Sequence, residues 1–206
     1  MTATDVKARF ATGGTATSTT ALAAEQDPAD GAALTLTAAA ATFAQADDGS
    51  CTVQKVTLTS GSGDDNSDVT YTIVGTDGMG ASQTEDLVGG AGGVTVTSTK
   101  FYNTVTSITG NGAASVDITA GVTSTGMHAV LWTGRTRIKG MHGVISSADN
   151  FLFKTTSSTG ATVMTIPADA GDLDPYIPDD GVLFSAGAYL PMDQGDITGL
   201  TVFLDA

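Results

Sequence analysis

Three features of this sequence predict an all-β fold. Apolar and polar residues alternate with period 2 over short stretches, and clusters of Gly, Asp and Asn separate those stretches. The side chains are also light: 26 of the 206 residues are Gly and only 6% are aromatic, a composition suited to closely spaced strands rather than amphipathic helices. The predicted architecture is two small antiparallel β-sandwich domains, Ig-like or jelly-roll-like, over 47–125 and 126–206, preceded by an extended N-terminal arm over 1–46.

The stretch 174–191, DPYIPDDGVLFSAGAYLP, shows this grammar most clearly. Pro175 and Pro178 stiffen the approach to a turn at Asp179-Asp180-Gly181, and Val182-Leu183-Phe184 follows as a short buried strand. Ser185-Ala186-Gly187 turns again, and Ala188-Tyr189-Leu190 forms a strand that Pro191 is expected to interrupt.

In chain order, residues 1–46 are rich in Thr and Ala, with too few large side chains to fold alone. The arm is therefore expected to be held by neighbouring chains or by packing on its own domain. Ala33 to Phe43 fits a strand or a short helix, and periodicity leaves both open. The first domain's strands are expected at Thr52 to Thr59, Val69 to Val74, Gln83 to Val88, Val94 to Thr99, Thr104 to Thr109 and Ser115 to Ala120. Those of the second lie at Val130 to Thr133, Thr136 to Lys139, Val144 to Ile145, Phe151 to Thr155, Val163 to Ile166, Val182 to Phe184, Ala188 to Leu190 and Leu200 to Leu204. This half holds most of the large aromatic residues, enough for a compact core of its own.

A net charge of −14 disfavours direct contact with nucleic acid and suits a partner with basic patches. No apolar run of signal-peptide or membrane-span length occurs, so synthesis and retention in a cytoplasm until release are expected. Cys51 is the only cysteine, which rules out an intramolecular disulfide, and no basic neighbour in sequence marks it as reactive.

Catalytic patterns do not emerge. His128 and His142 have no metal-motif partners, no G-x-S-x-G elbow is present, and Gly89-Gly90-Ala91-Gly92-Gly93 and Gly110-Asn111-Gly112 read as turns because no Lys-Ser/Thr and helix follow. No cofactor is expected. The best cation candidate is Asp64-Asp65-Asn66-Ser67-Asp68, whose carboxylates Asp64, Asp65 and Asp68 suit Ca²⁺ but lack EF-hand spacing; an ordinary solvated loop is the alternative. Arg135, Arg137 and Lys139 alternate, so on a strand they share one face, suited to an acidic surface of a neighbouring subunit or simply to solvent and local Asp.

The segments GRTRIKGMHGVI, FLFKTTSSTGATVMTIP, IPDDGVLFSAGAYLPM and ITGLTVFLDA, with the strand-rich region from Val56 to Ile118, resemble small β-structured virion proteins of tailed bacteriophages over most of 52–206. The resemblance implies a non-enzymatic virion component, first of all a capsid decoration or cement protein on the outer shell. It would bind the major capsid protein or other virion proteins and form a homo-oligomer, with a trimer favoured, and would touch neither nucleic acid nor membrane. Two modules and an arm exceed a minimal decoration protein, which leaves a neck, fibre or knob component open. A receptor- or carbohydrate-binding sandwich is the alternative, needing exposed aromatics such as Tyr102, Trp132 or Tyr176 along a groove.

Overall fold

The computed structural model describes residues 6–37, 50–63, 65–112, 117–178, 180–193 and 196–205, and these are all-β, with several antiparallel sheets and no helix. The strands are β1 (Val6–Ala11), β2 (Ser18–Gln26), β3 (Thr52–Ser60), β4 (Thr70–Thr76), β5 (Ser82–Val88), β6 (Thr95–Tyr102), β7 (Thr104–Gly110) and β8 (Ile118–Trp132). They continue with β9 (Thr136–Ile145), β10 (Asp149–Lys154), β11 (Thr162–Ala168), β12 (Gly171–Leu173), β13 (Val182–Phe184), β14 (Ala188–Pro191) and β15 (Ile197–Asp205).

The chain divides into two compact units. One comprises Met1–Gly14, Asp48–Val53 and Gly126–Ala206; the other comprises Thr15–Asp47 and Gln54–Thr125. The first contains a sheet ordered β1-β15-β9-β12, with β13 also on β9, and the pairing of β11, β10 and β14 with the C-terminal half of β8. Phe151, Phe153, Phe184, Leu131, Met141 and Leu200 fill its core. The second contains the sheet β5-β4-β7, the β3–β6 pair, and β2 on the N-terminal half of β8; Tyr71, Ile73, Tyr102, Ile108 and Leu58 fill its core.

Where the sequence suggests an arm, its described part forms strands. β1 pairs with β15 from Val6↔Asp205 to Ala11↔Leu200, and β2 contributes Leu22 and Ala23 to the second unit's core. The light composition has a packing reason: a Cβ at Gly121 of β8 would collide with the Ser18 carbonyl, so only small groups let these strands approach. Ala33 makes an isolated bridge to Thr109, while 38–43 lie outside the described residues.

Several expected boundaries move. Of two expected strands, 118–120 and 130–132 become parts of one strand, β8, with 115–116 outside the described residues, and the two segments around Gly140 become one strand, β9. Pro191 pairs with His128 rather than interrupting, because at the end of β14 its missing amide costs no interior ladder bond. Only Phe184 of β13 is buried, while Leu183 is exposed. The turn before it does form, with the Gly181 amide donating to Pro178 O at 2.7 Å.

β8 contributes to both cores. Ile118, Ala120 and Val122 enter the second unit's core, whereas Met127, Ala129 and Leu131 enter the first's. Between them Gly126 has φ 74°, a left-handed backbone that favours glycine. Gly126→Ala is expected to cost about 1–2 kcal/mol in urea unfolding and Gly126→Asn less, since Asn tolerates this conformation better. Equal stability of all three proteins would contradict a left-handed backbone at this position.

Glu85 ties β5 to β6, accepting hydrogen bonds from Thr99 N and Thr99 Oγ1, both at 2.7 Å, and from Lys100 N at 2.9 Å. Partial burial pushes its carboxyl pKa up, but the bonds from Thr99 and Lys100 and the Lys100 charge outweigh this and hold it below the usual value. Its stabilisation is therefore complete above the unfolded carboxyl value of about 4.3 and is lost as pH falls through the lower folded value. Glu85→Gln should be less stable than the parent at pH 7, with the gap closing on acidification below about pH 4 in urea titrations.

Candidate interaction surface

In the first unit's five-stranded sheet, period-2 alternation buries Ile138, Met141, Leu200, Val202 and Leu204 on one face. Among the described residues the opposite face is left open. Its positions follow from register: Ala8 lies opposite Phe203, Phe203 opposite Gly140, Thr201 opposite His142, and Asp205 opposite Arg137. Val6, Val144, Leu183 and Phe203 are exposed, so this face carries more apolar surface than its Thr and Ser neighbours suggest.

The expected basic stripe is not one straight row. Arg135 is exposed in the bend before β9, Arg137 lies on the strand, and Lys139 falls at a register shift where Phe203 pairs with Gly140 and Leu204 with Ile138. The extra residue at this bulge gives β9 room for Gly140 against the Phe203 ring, which a Cβ there would meet at 3.6 Å. Arg137 also has local work: its Nη1 donates to the carbonyls of Asp180 and Gly181 at 3.1 and 3.3 Å, pinning the turn that leads into β13. Asp179 lies outside the described residues.

Beside Lys139 and His142, the segment Asp174 to Ile177 forms the far wall of a shallow groove of about 500 Å³, with Phe203 at its floor. Tyr176 is 84% exposed on that wall. Proline on either side fixes the backbone that presents it, so the ring is displayed at small entropic cost. The other two aromatic candidates are taken: Tyr102 is fully buried, and half-buried Trp132 lies under Lys7, whose Nζ is 4.7 Å from the ring centroid.

The acidic loop before β4 is built around a buried amide. Asn66 donates through Nδ2 to Ser60 Oγ at 3.2 Å and accepts from Tyr71 Oη at 3.3 Å, and the Ser60 hydroxyl donates to Gly90 O. A Cβ at Gly89 would collide with the Asn66 carbonyl, which accounts for glycine at that position of the Gly-rich run. Asp65 accepts from the Ser67 amide at 2.9 Å, and hydrogen bonding from the Ser67 hydroxyl first, then from this amide, holds its carboxyl below the usual value. Asp65 and Asp68 are exposed, Asp64 lies outside the described residues, and among the described residues no three His, Cys, Asp or Glu side chains are grouped to hold a metal ion.

His128 is buried, its Nδ1 2.9 Å from Gly126 O, while His142 is exposed on the open face. Cys51 acquires a basic neighbour that its sequence surroundings do not reveal, since the β1 residue Arg9 lies beside it. Burial nonetheless pushes the thiol pKa up to about 11, against the lowering effect of Arg9, so it remains a protonated core group at neutral pH. No described helix is long and apolar enough to cross a membrane. The chain matches no protein-family model, no curated protein and no solved structure.

The different surroundings of the two arginines give a direct check. Arg137→Ala should lower stability by about 0.5–1.5 kcal/mol through the lost turn contacts, whereas Arg135→Ala should stay within about 0.5 kcal/mol of the parent. Urea midpoints of the two variants measure this, and equal losses would contradict the assigned role of Arg137.

Proposed function

We propose that this chain is a non-enzymatic structural protein of a tailed-phage virion, acting as a decoration or cement protein that binds the outer shell and joins subunits. The observation that carries the reading is the open sheet face, where exposed Val6, Val144, Leu183 and Phe203 accompany Arg137 and Lys139 in a chain of net charge −14. An apolar field ringed by charges of both signs, Arg137 and Lys139 with Asp172 and Asp205, favours burial against a macromolecular surface over binding of a small substrate. The resemblance of 52–206 to phage virion proteins supplies the biological setting. In this reading the two units are small sandwiches, one seated on the coat protein and the other projecting or packing on further copies. The protein is made in the host cytoplasm, functions on the virion and assembles as a homo-oligomer, with a trimer favoured.

The full chain should co-sediment with capsids of the phage that encodes it, saturating at a fixed ratio to coat protein. Absence of pelleting with coat sites at about 10 μM and the protein in about tenfold molar excess would reject shell binding, since even micromolar affinity would fill the sites under those conditions. Tyr176 beside its shallow groove favours one second reading, a carbohydrate- or receptor-binding module in which the ring stacks on a sugar. Glycan-array binding abolished by Tyr176→Ala, together with no capsid binding, would replace the first reading by this one.

A further inference from the structure

We propose that Asn111 is a self-modifying site: the main-chain nitrogen of Gly112 attacks its side-chain amide, and the Thr70 N–H stabilises the charge that forms on Asn111 Oδ1. The asparagine becomes aspartate or isoaspartate without an enzyme, and the inference stands apart from the virion reading.

Local structure assembles the reacting groups. β7 ends at Gly110, which lies opposite Tyr71 of β4, and the chain bends at Asn111. The pairing is nonetheless carried one residue further. Asn111 N donates to Thr70 O at 3.0 Å, and Thr70 N donates to the side-chain Oδ1 of Asn111 at 2.9 Å. The side-chain carbonyl thus takes the bond that a main-chain carbonyl would accept in a regular ladder. Asn111 is exposed to water, and glycine follows it. Apart from chain neighbours, a Cβ at Gly112 would meet Val69 Cγ2 at 3.9 Å and nothing closer among the described residues. The attacking nitrogen therefore has room, and glycine leaves its torsions free.

The reaction needs only water and hydroxide. Gly112 N gives its proton to hydroxide as it bonds to Asn111 Cγ, and the carbonyl π pair moves onto Oδ1. There the Thr70 N–H does what a donor in an oxyanion hole does. Collapse of the tetrahedral species breaks the Cγ–Nδ2 bond; the nitrogen takes a proton and leaves as ammonia, and a cyclic imide remains. Water at Cγ then releases Gly112 N and gives aspartate, whereas water at the main-chain carbonyl gives isoaspartate. Because attacking and attacked groups belong to adjacent residues, ring closure requires no bound catalyst.

The chain has four asparagines, and Asn111 alone is followed by glycine. Asn66 is buried, with Nδ2 donating to Ser60 Oγ and Oδ1 accepting from Tyr71 Oη. Asn103 precedes Thr104, whose branched Cβ crowds the approach of its nitrogen. Asn150 precedes Phe151 inside β10, where pairing with Pro167 holds the chain extended.

The two products differ in effect. Aspartate keeps an oxygen for the Thr70 N–H and adds a negative charge. Isoaspartate inserts a methylene into the main chain, so the contacts of residue 111 with Thr70 move out of register and the end of the β4–β7 pair loosens.

To test this, folded full-length protein is held in mildly alkaline buffer and its asparagine peptides are followed by mass spectrometry, with isoaspartyl methyltransferase distinguishing the products. Asn111 should convert before Asn66, Asn103 and Asn150. Its half-time in the folded protein should stay within about tenfold of that in urea, since the donor on Oδ1 offsets the restricted motion. Gly112→Ala, whose Cβ has room, should keep the parent circular dichroism and convert at least about tenfold more slowly, because the methyl hinders the nitrogen. Earlier conversion of another asparagine, a folded half-time more than about tenfold longer than in urea, or an undiminished rate in Gly112→Ala overturns the proposal. The comparison with urea uses the parent protein alone and decides the matter whether or not the variant folds.

Discussion

The structure depends on one unbroken strand that supplies both cores. β8 runs fifteen residues from Ile118 to Trp132. Ile118, Ala120 and Val122 are buried in one core, and Met127, Ala129 and Leu131 in the other. Between the two sets Gly126 holds a left-handed backbone, which is nearly free of steric penalty only for glycine.

The other half of the architecture follows from light side chains. Strands β2 and β8 approach closely because Gly121 leaves the Ser18 carbonyl unobstructed, and β9 and β15 pair tightly at Gly143, where a Cβ would press on the Gly199 carbonyl. Such packing gives up large apolar groups, so much of the specificity passes to polar fixtures. Asn66 holds the turn between β3 and β4 through Ser60 and Tyr71, and Glu85 clamps β5 to β6 through the Thr99 and Lys100 amides. Buried polar groups with their partners in place define one arrangement, because each alternative leaves a donor or acceptor unpaired.

The same economy shapes the surface. With β1 on its edge, the five-stranded sheet has one covered face and one open face, and the open one gathers valines, leucine and phenylalanine beside Arg137 and Lys139. Solvated sheet faces are ordinarily polar, and the Thr-bearing outer faces of β4 and β7 follow that rule. The apolar side chains on β9 and β15 set this face apart from those of β4 and β7.

Alternation in segments such as Val69 to Val74 and Thr104 to Thr109, punctuated by Gly, Asp and Asn turns, determined the all-β class and most strand positions, because backbone pleating imposes period 2 locally. The turn at Pro178 to Gly181 was equally legible, since proline and glycine fix torsions within their own residues. Local pattern could not reveal partners distant in the chain. The pairing of β1 with β15, the entry of Leu22 into a core and the placement of Arg9 beside Cys51 arise from contacts over a hundred residues or only from the assembled sheet. The basic stripe shows the division most clearly: alternation placed Arg137 on a strand face, but the bulge at Lys139, the tie from Arg137 to the 180–181 carbonyls and the exposed Phe203 alongside were decided by register, which depends on the whole sheet.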